Sequence, residues 1–142
     1  MDRYLKRVFR FNAAHSNVTD DSNVHPHSFS VSLYTDFLES NQEKMLEEIV
    51  NDFLSGFSGC VLDELPFFEG VYPSIEEIGD RFYSDLKLRL GSIGINLYEL
   101  GISDGPMVAY LVSDRIVLPN LNDNISGKNY SMLIKMIERI GE

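Results

Sequence analysis

Two stretches of this chain alternate apolar and polar residues with a period of two, and histidines lie on the apolar side of both. In residues 7–15, Phe9, Phe11, Ala13 and His15 share one parity while Arg10 and Asn12 take the other. In residues 25–35, His25, His27, Phe29, Val31 and Leu33 alternate against Ser28, Ser30 and Ser32. A period of two marks a half-buried strand, because successive side chains point to opposite faces. The nine residues between His15 and His25 are mostly polar and read as a loop. Such a pair folds as an antiparallel hairpin, in which the end of the first strand meets the start of the second. His15, His25 and His27 then gather at one end of one sheet and on one face. Pro26 has no N–H to give the ladder, which puts the pair at a strand start or edge.

These are the only histidines in the chain. Any one imidazole on an apolar face is ordinarily a core residue satisfied by backbone. Three at one sheet end point instead to a divalent metal, since three neutral imidazoles with an open fourth position make a catalytic-type zinc site.

Beyond the hairpin the period changes. Met45, Leu46, Ile49, Val50, Phe53, Leu54 and Phe57 recur at helical spacing, ended by Gly56 and Gly59. The run Cys60-Val61-Leu62-Asp63 and a loop over 64–72 follow, with Cys60 expected to be buried. A second helix opens at Pro73-Ser74, where Ser74 and Glu77 fit a capping box, and buries Ile75, Ile78, Phe82, Leu86 and Leu90. Residues 95–99 alternate, with Ile95, Leu97 and Glu99 on one parity. A turn at Ser103-Asp104-Gly105-Pro106 leads to a strand over 107–112. A short strand at 116–118 and a last helix over 128–140 complete the pattern. The order strand, strand, helix, helix, strand, strand predicts an α+β fold: a four-stranded antiparallel sheet with two helices on one face, plus a C-terminal helix. One domain over 1–142 is expected, with a core at about 7–112 and an extension over 113–142.

Composition narrows the function. A net charge of −10 argues against nucleic-acid binding and repels anionic substrates unless a local cluster offsets it. No apolar run approaches the roughly 20 residues that span a bilayer, and no signal-peptide core follows Met1. The single cysteine, Cys60, suits a reducing cytoplasm.

The motifs and their order resemble the 6-pyruvoyl tetrahydropterin synthase family, which includes the 6-carboxytetrahydropterin synthases. Phe11-Asn12-Ala13-Ala14-His15 matches that family's Phe-x-Ala-x-His run, and His25-Pro26-His27 its His-Gly-His. Leu62-Asp63-Glu64 stands where it has Leu-Asp-His, and Pro73-Ser74-Ile75-Glu76 where it has Pro-Thr-x-Glu. The family's pterin-holding Glu at the end of the third strand falls at Glu99, and its Tyr on the strand after it at Tyr110. The resemblance covers about residues 7–112. It implies the tunnelling fold, Zn2+ held by His15, His25 and His27, and substrate binding by Glu99 and Ser74. It also implies homo-oligomeric barrels, often a dimer of trimers, with sites between subunits.

The departures fall on proton transfer. The family's cysteine, four residues before the first His of His-Gly-His, is Asp21 here, and its catalytic histidine is Glu64. Some members carry glutamate at the cysteine position and cleave the side chain of dihydroneopterin, and Asp21 is a shorter carboxylate in that place. Asp21, Asp63 and Glu64 are therefore the candidate catalytic residues. The expected function is a zinc-dependent lyase or aldolase acting on the side chain of a reduced pterin, dihydroneopterin or its triphosphate. The setting would be pterin, folate or deazapurine biosynthesis. The alternative is a non-catalytic pterin- or purine-binding homologue that keeps fold and metal site without the proton-transfer residues.

Overall fold

A computed structural model describes residues 3–17 and 20–114 and, at 16–17 and 20–25, the backbone alone. The expected strand at 116–118 and helix at 128–140 lie outside the described residues. The elements run β1 (Leu5–Asn17), β2 (Asp20–Thr35), α1 (Ser40–Ser55), α2 (Ile75–Gly91), β3 (Leu97–Ser103) and β4 (Tyr110–Ser113). Single 3-10 turns occupy Leu62–Glu64 and Pro66–Phe68. All neighbours in the sheet are antiparallel, in the order β1-β2-β3-β4. This is the predicted α+β arrangement.

The alternating patterns of β1 and β2 set the layering. Phe11 pairs with Phe29 and Ala13 with His27, and this face is covered by the helices. Phe29, Val31 and Leu33 have no exposed surface. The rings of Phe11 and Phe29 stack at 4.9 Å between centroids. α1 contributes Leu46, Val50, Phe53 and Leu54, and α2 contributes Ile78, Phe82, Leu86 and Leu90. Both sets recur at the spacing that aligns one helix face with the sheet. Of the expected α2 capping box the serine half is present: the Glu77 N–H donates to Ser74 Oγ at 3.2 Å. Arg7 joins β1 to α1 through Glu43 and reaches the buried Thr35 hydroxyl.

Three expectations about boundaries change, the simplest being the fourth strand, which is Tyr110–Ser113 rather than 107–112. Most of residues 16–24 are strand rather than loop, for β1 runs to Asn17 and β2 starts at Asp20, with a register shift after Ser16. The stretch has no Gly or Pro to stop pairing, so the hairpin ladder continues past the last core contact. The third strand runs to Ser103 instead of ending at 99. Gly101 sits mid-strand, where a Cβ would lie 2.9 Å from Leu111 Cδ2 on β4.

The loop after α1 closes over the outer edge of β1. Gly59 N–H donates to the Asn12 carbonyl at 2.6 Å and Ala14 N–H to the Cys60 carbonyl at 3.0 Å. Gly59 has φ 77°, a left-handed conformation that glycine adopts without strain. This pinning delivers the turn carrying Asp63 beside the end of β1.

Gly79 performs a similar service on α2. A Cβ there would lie 2.7 Å from Tyr110 Cδ2 and 3.0 Å from Ile102 Cγ2, so the helix sits directly on β3 and β4. We predict that Gly79→Ala destabilises the protein. Overpacking costs roughly 1–3 kcal/mol against a helix-propensity gain of at most about 1 kcal/mol. A lowered urea midpoint is the expected result, and an unchanged one would show that the β4 contact yields freely.

Candidate functional site

Among the described residues, His15 and Thr35 are the polar side chains that are buried. Thr35 is answered by Arg7. His15, 7% exposed, is answered by the backbone at the start of α2: its Nδ1 lies 2.9 Å from the Pro73 carbonyl oxygen. A carbonyl oxygen only accepts, so Nδ1 carries the proton and donates. In the neutral ring, Nε2 is then a bare lone pair, the tautomer a metal ligand requires.

Nε2 looks onto two further ligand-type groups. The His27 ring lies 4.8 Å from the His15 ring, centroid to centroid. The Asp104 carboxylate approaches Nε2 to 3.7 Å. One ligand atom from each of His15, His27 and Asp104 falls within 4.8 Å of the others, which is a group able to hold a divalent cation.

The surroundings keep His15 neutral. Burial lowers its pKa from the usual 6.5, and the neighbouring His27 lowers it further. The Pro73 hydrogen bond, Asp104 and Asp63 pull the other way. At 3.7 Å, His15 and Asp104 form an ion pair only when the imidazole is protonated, and burial opposes that state.

A cavity of about 440 Å³ opens beside this group, lined by Asn12, Ala13, Ala14, Pro26, His27 and Cys60, among others. The small side chains of Ala13 and Ala14 and the bare backbone of Gly59 leave this space, which is the size of a small-molecule site. His27 belongs both to the metal-capable group and to the cavity wall. Cys60, expected to be buried, is half-buried and faces this cavity.

The other candidate residues fall as follows. His25 is the register partner of His15, and Asp21 lies further along β2; the side chains of both are outside the described residues. Asp63 is half-buried and close enough to His15 to act on it electrostatically. Glu64, the next residue, is exposed. Ser74 spends its hydroxyl on capping α2, so its part in the site is to position the Pro73 carbonyl.

Glu99 does not share a site with these histidines in the same chain. It pairs with Tyr34, seven residues along β2 from His27, or about 23 Å at the usual strand rise. Its partners Tyr34 and Ser113 place it on the sheet face away from the helices. The carboxylate at the end of the third strand is Asp104 instead. The signal for it was present: Leu100, Ile102 and Asp104 continue one parity, but only once β3 is allowed to run through Gly101.

Comparison with known proteins agrees with this architecture. A family model described as 6-pyruvoyl tetrahydropterin synthase matches residues 4–113. The chain belongs to the 6-pyruvoyl tetrahydropterin synthase family. The Caenorhabditis elegans 6-pyruvoyl tetrahydropterin synthase structure is similar with a TM-score of 0.64 at 18% identity, covering 80% of this chain and 96% of that one. An uncharacterised Wolinella succinogenes protein is similar at 0.61 and 12% identity, covering 80% of this chain and 98% of that one. The Plasmodium vivax 6-pyruvoyl tetrahydropterin synthase is similar at 0.55 and 17% identity, covering 81% of this chain and all of that one, 100%. No curated protein sequence matches the chain. The likeness in three dimensions confirms the tunnelling fold of the family. No helix among the described residues is long and apolar enough to cross a membrane.

The lowered His15 pKa has a sign that can be tested in metal-free protein. The unfolded chain takes up the proton near 6.5 while the native site refuses it until lower pH. The associated stability is therefore present above 6.5 and is lost as pH falls below it toward the native value. We predict that the His15 Cε1–H resonance titrates below 6.5. A midpoint at or above 6.5 would mean that Asp104 and Asp63, not burial, control the ring.

Proposed function

We propose that the chain is a metal-dependent lyase, of the carbon–oxygen or carbon–carbon kind, acting on the side chain of a reduced pterin such as dihydroneopterin or its triphosphate. The observation that carries this reading is the state of His15. Its Nδ1–H is committed to Pro73, which leaves the Nε2 lone pair among the ligand atoms of His27 and Asp104. The donor set fits a divalent ion, with His15, His25 and His27 as the residues that would hold it. When bound there, Zn2+ would supply Lewis acidity, polarising the substrate's side-chain oxygens and acidifying the adjacent C–H and O–H groups.

The chain's own residues do the rest. The cavity beside His27 takes the substrate and excludes part of its surface from water. Asp63, next to His15, accepts the proton released from the side chain, with Asp21 a second base by its place in β2. Glu64 faces solvent and relays the proton outward. Glu99 can offer its carboxylate to the donor edge of a pterin only from a different subunit, because it lies on the far face of the sheet. A homo-oligomer with sites completed between subunits, in the family's hexameric manner, fits the exposure of Met107, Val108 and Leu111 beside the outermost strand β4. The proposed location is the cytoplasm.

One observation favours a second reading. The position after Asp63, where the family resemblance calls for a histidine, is Glu64, and it is exposed. A homologue that binds a pterin or purine without turning it over would show the same geometry.

Metal content and turnover separate the readings. Untagged protein is expected to carry about one metal ion per chain by mass spectrometry and to lose it in His27→Ala. Dihydroneopterin or its triphosphate should be consumed. Asp63→Asn should keep the metal while kcat falls by a factor on the order of 10² to 10⁴. Pterin affinity without turnover would favour the binding homologue, and absence of metal even after zinc is supplied would sink the enzyme.

A further inference from the structure

We propose that Asp104 binds the metal directly, so that the centre includes a carboxylate and is a two-histidine, one-carboxylate site at its described face; this rests on the metal-dependent reading above. The backbone places Asp104 for the task. β3 pairs with β2 so that Ile102 stands opposite Val31. The next residue of that parity is Asp104, just past the strand end, on the helix-facing side where Phe29 and His27 continue β2. The turn that carries it is held by Ser103, whose Oγ accepts from the Gly105 N–H at 3.2 Å and donates to the Val108 carbonyl at 2.8 Å.

The contact itself calls for a cation. His15 Nδ1 is the donor to Pro73, so Nε2 presents a lone pair. The Asp104 carboxylate is also an acceptor. The two acceptors lie 3.7 Å apart, His15 buried and Asp104 about one-third exposed at 34%. That is longer than a hydrogen bond. It is close to the separation of about 3.3–3.4 Å between two ligands of a tetrahedral ion with bonds of about 2.0–2.1 Å. Two facing acceptors repel, and a shared cation satisfies both.

A carboxylate changes what the site prefers. Imidazole suits zinc and its neighbours, whereas a hard anionic oxygen favours Mn2+. The same carboxylate removes one unit of charge from the centre, which tightens retention of the ion and tempers its acidity. The competing role for Asp104 is the one the family gives to a carboxylate at the end of the third strand, contact with the substrate's ring rather than with the metal.

The test uses metal-stripped full-length protein and two ions. Mn2+ binding is read by electron paramagnetic resonance, and Zn2+ binding by competition with a chromophoric chelator. Asp104→Asn should weaken Mn2+ at least tenfold and Zn2+ less, because the oxygen-seeking ion depends more on the lost carboxylate. Glu48→Gln, removing an exposed charge on α1, should change neither. Asp104 lies on a turn outside the core, and a wild-type urea midpoint will show that Asp104→Asn folds. Wild-type Mn2+ affinity in Asp104→Asn would overturn the proposal and assign the carboxylate to the substrate. Equal losses for both ions would overturn it too, as a general charge effect. A wild-type protein that binds neither ion would sink the metal-dependent reading itself, a result distinct from either.

Discussion

The antiparallel register of β1 on β2 is the constraint on which the rest of this structure depends. Phe11 faces Phe29, Ala13 faces His27 and His15 faces His25. Because side chains alternate, a slip of one residue would send each of them to the other face. Arg10, Asn12 and three serines would then meet the helices, and the buried rings of Phe11 and Phe29 would meet water. Burying one such side chain is worth roughly 1.5–3 kcal/mol, and four or more sit on this face, so the register has no close competitor. The imidazoles ride on the same pattern. No separate device brings His15 and His27 together, since the hydrophobic effect that pairs the strands also sets their rings 4.8 Å apart.

A buried imidazole must pair its N–H, or it costs on the order of 1–3 kcal/mol. The start of α2 meets that need without spending any helix hydrogen bond. The Ser74 carbonyl takes the first helical bond, from the Ile78 N–H at 2.9 Å. The Pro73 carbonyl lies one residue too early to be used by the helix and is left for His15. Pro73 has no N–H of its own to satisfy, and its fixed φ suits the entry to a helix. The Pro73-Ser74 pair therefore does two jobs: the serine hydroxyl stops α2 fraying, and the proline carbonyl sets the tautomer of a residue 58 positions away in sequence. Coupling the cap to the site makes α2 part of the centre's scaffold, although no α2 side chain enters it.

Where periodicity was backed by burial, the sequence was legible. β1, β2 and the core faces of α1 and α2 follow from alternation or helical spacing, and the Ser74 cap follows from its hydroxyl and Glu77. The failures share a cause, which is polar or small residues in regular structure. Residues 16–24 read as loop because most are polar, yet polar residues without Gly or Pro pair readily once a hairpin is nucleated. The reason a glycine sits mid-strand at Gly101, Leu111 on β4, is remote in sequence. The alternation read over 95–99 drew attention to Glu99 as the strand end. A register irregularity at Tyr34 and Thr35 added to it: Leu97 and Leu100 are both buried although they differ in parity, so simple alternation misassigns Glu99. The histidines were visible because chemistry restricts which residues can bind a metal. The Pro73 carbonyl and Asp104 were not, because a backbone oxygen carries no sequence signature and an Asp in a turn is usually just turn chemistry.

The electrostatics of the site bear on which substrate it suits. His15, whose protonation burial opposes, and His27 meet the carboxylates of Asp63 and Asp104 within a chain of net charge −10. Without a cation, the local potential is negative and repels any phosphate. A divalent ion reverses the sign at the centre, but a carboxylate among its ligands leaves a net formal charge near +1, where an all-imidazole shell would leave +2. Such a centre attracts neutral oxygens through their dipoles and gains less from a triphosphate, whose charge the rest of the chain opposes at a distance. No lysine or arginine lines the cavity beside His27 to offset that. On the function proposed above, the field would favour a substrate with a free hydroxylated side chain over a triphosphate.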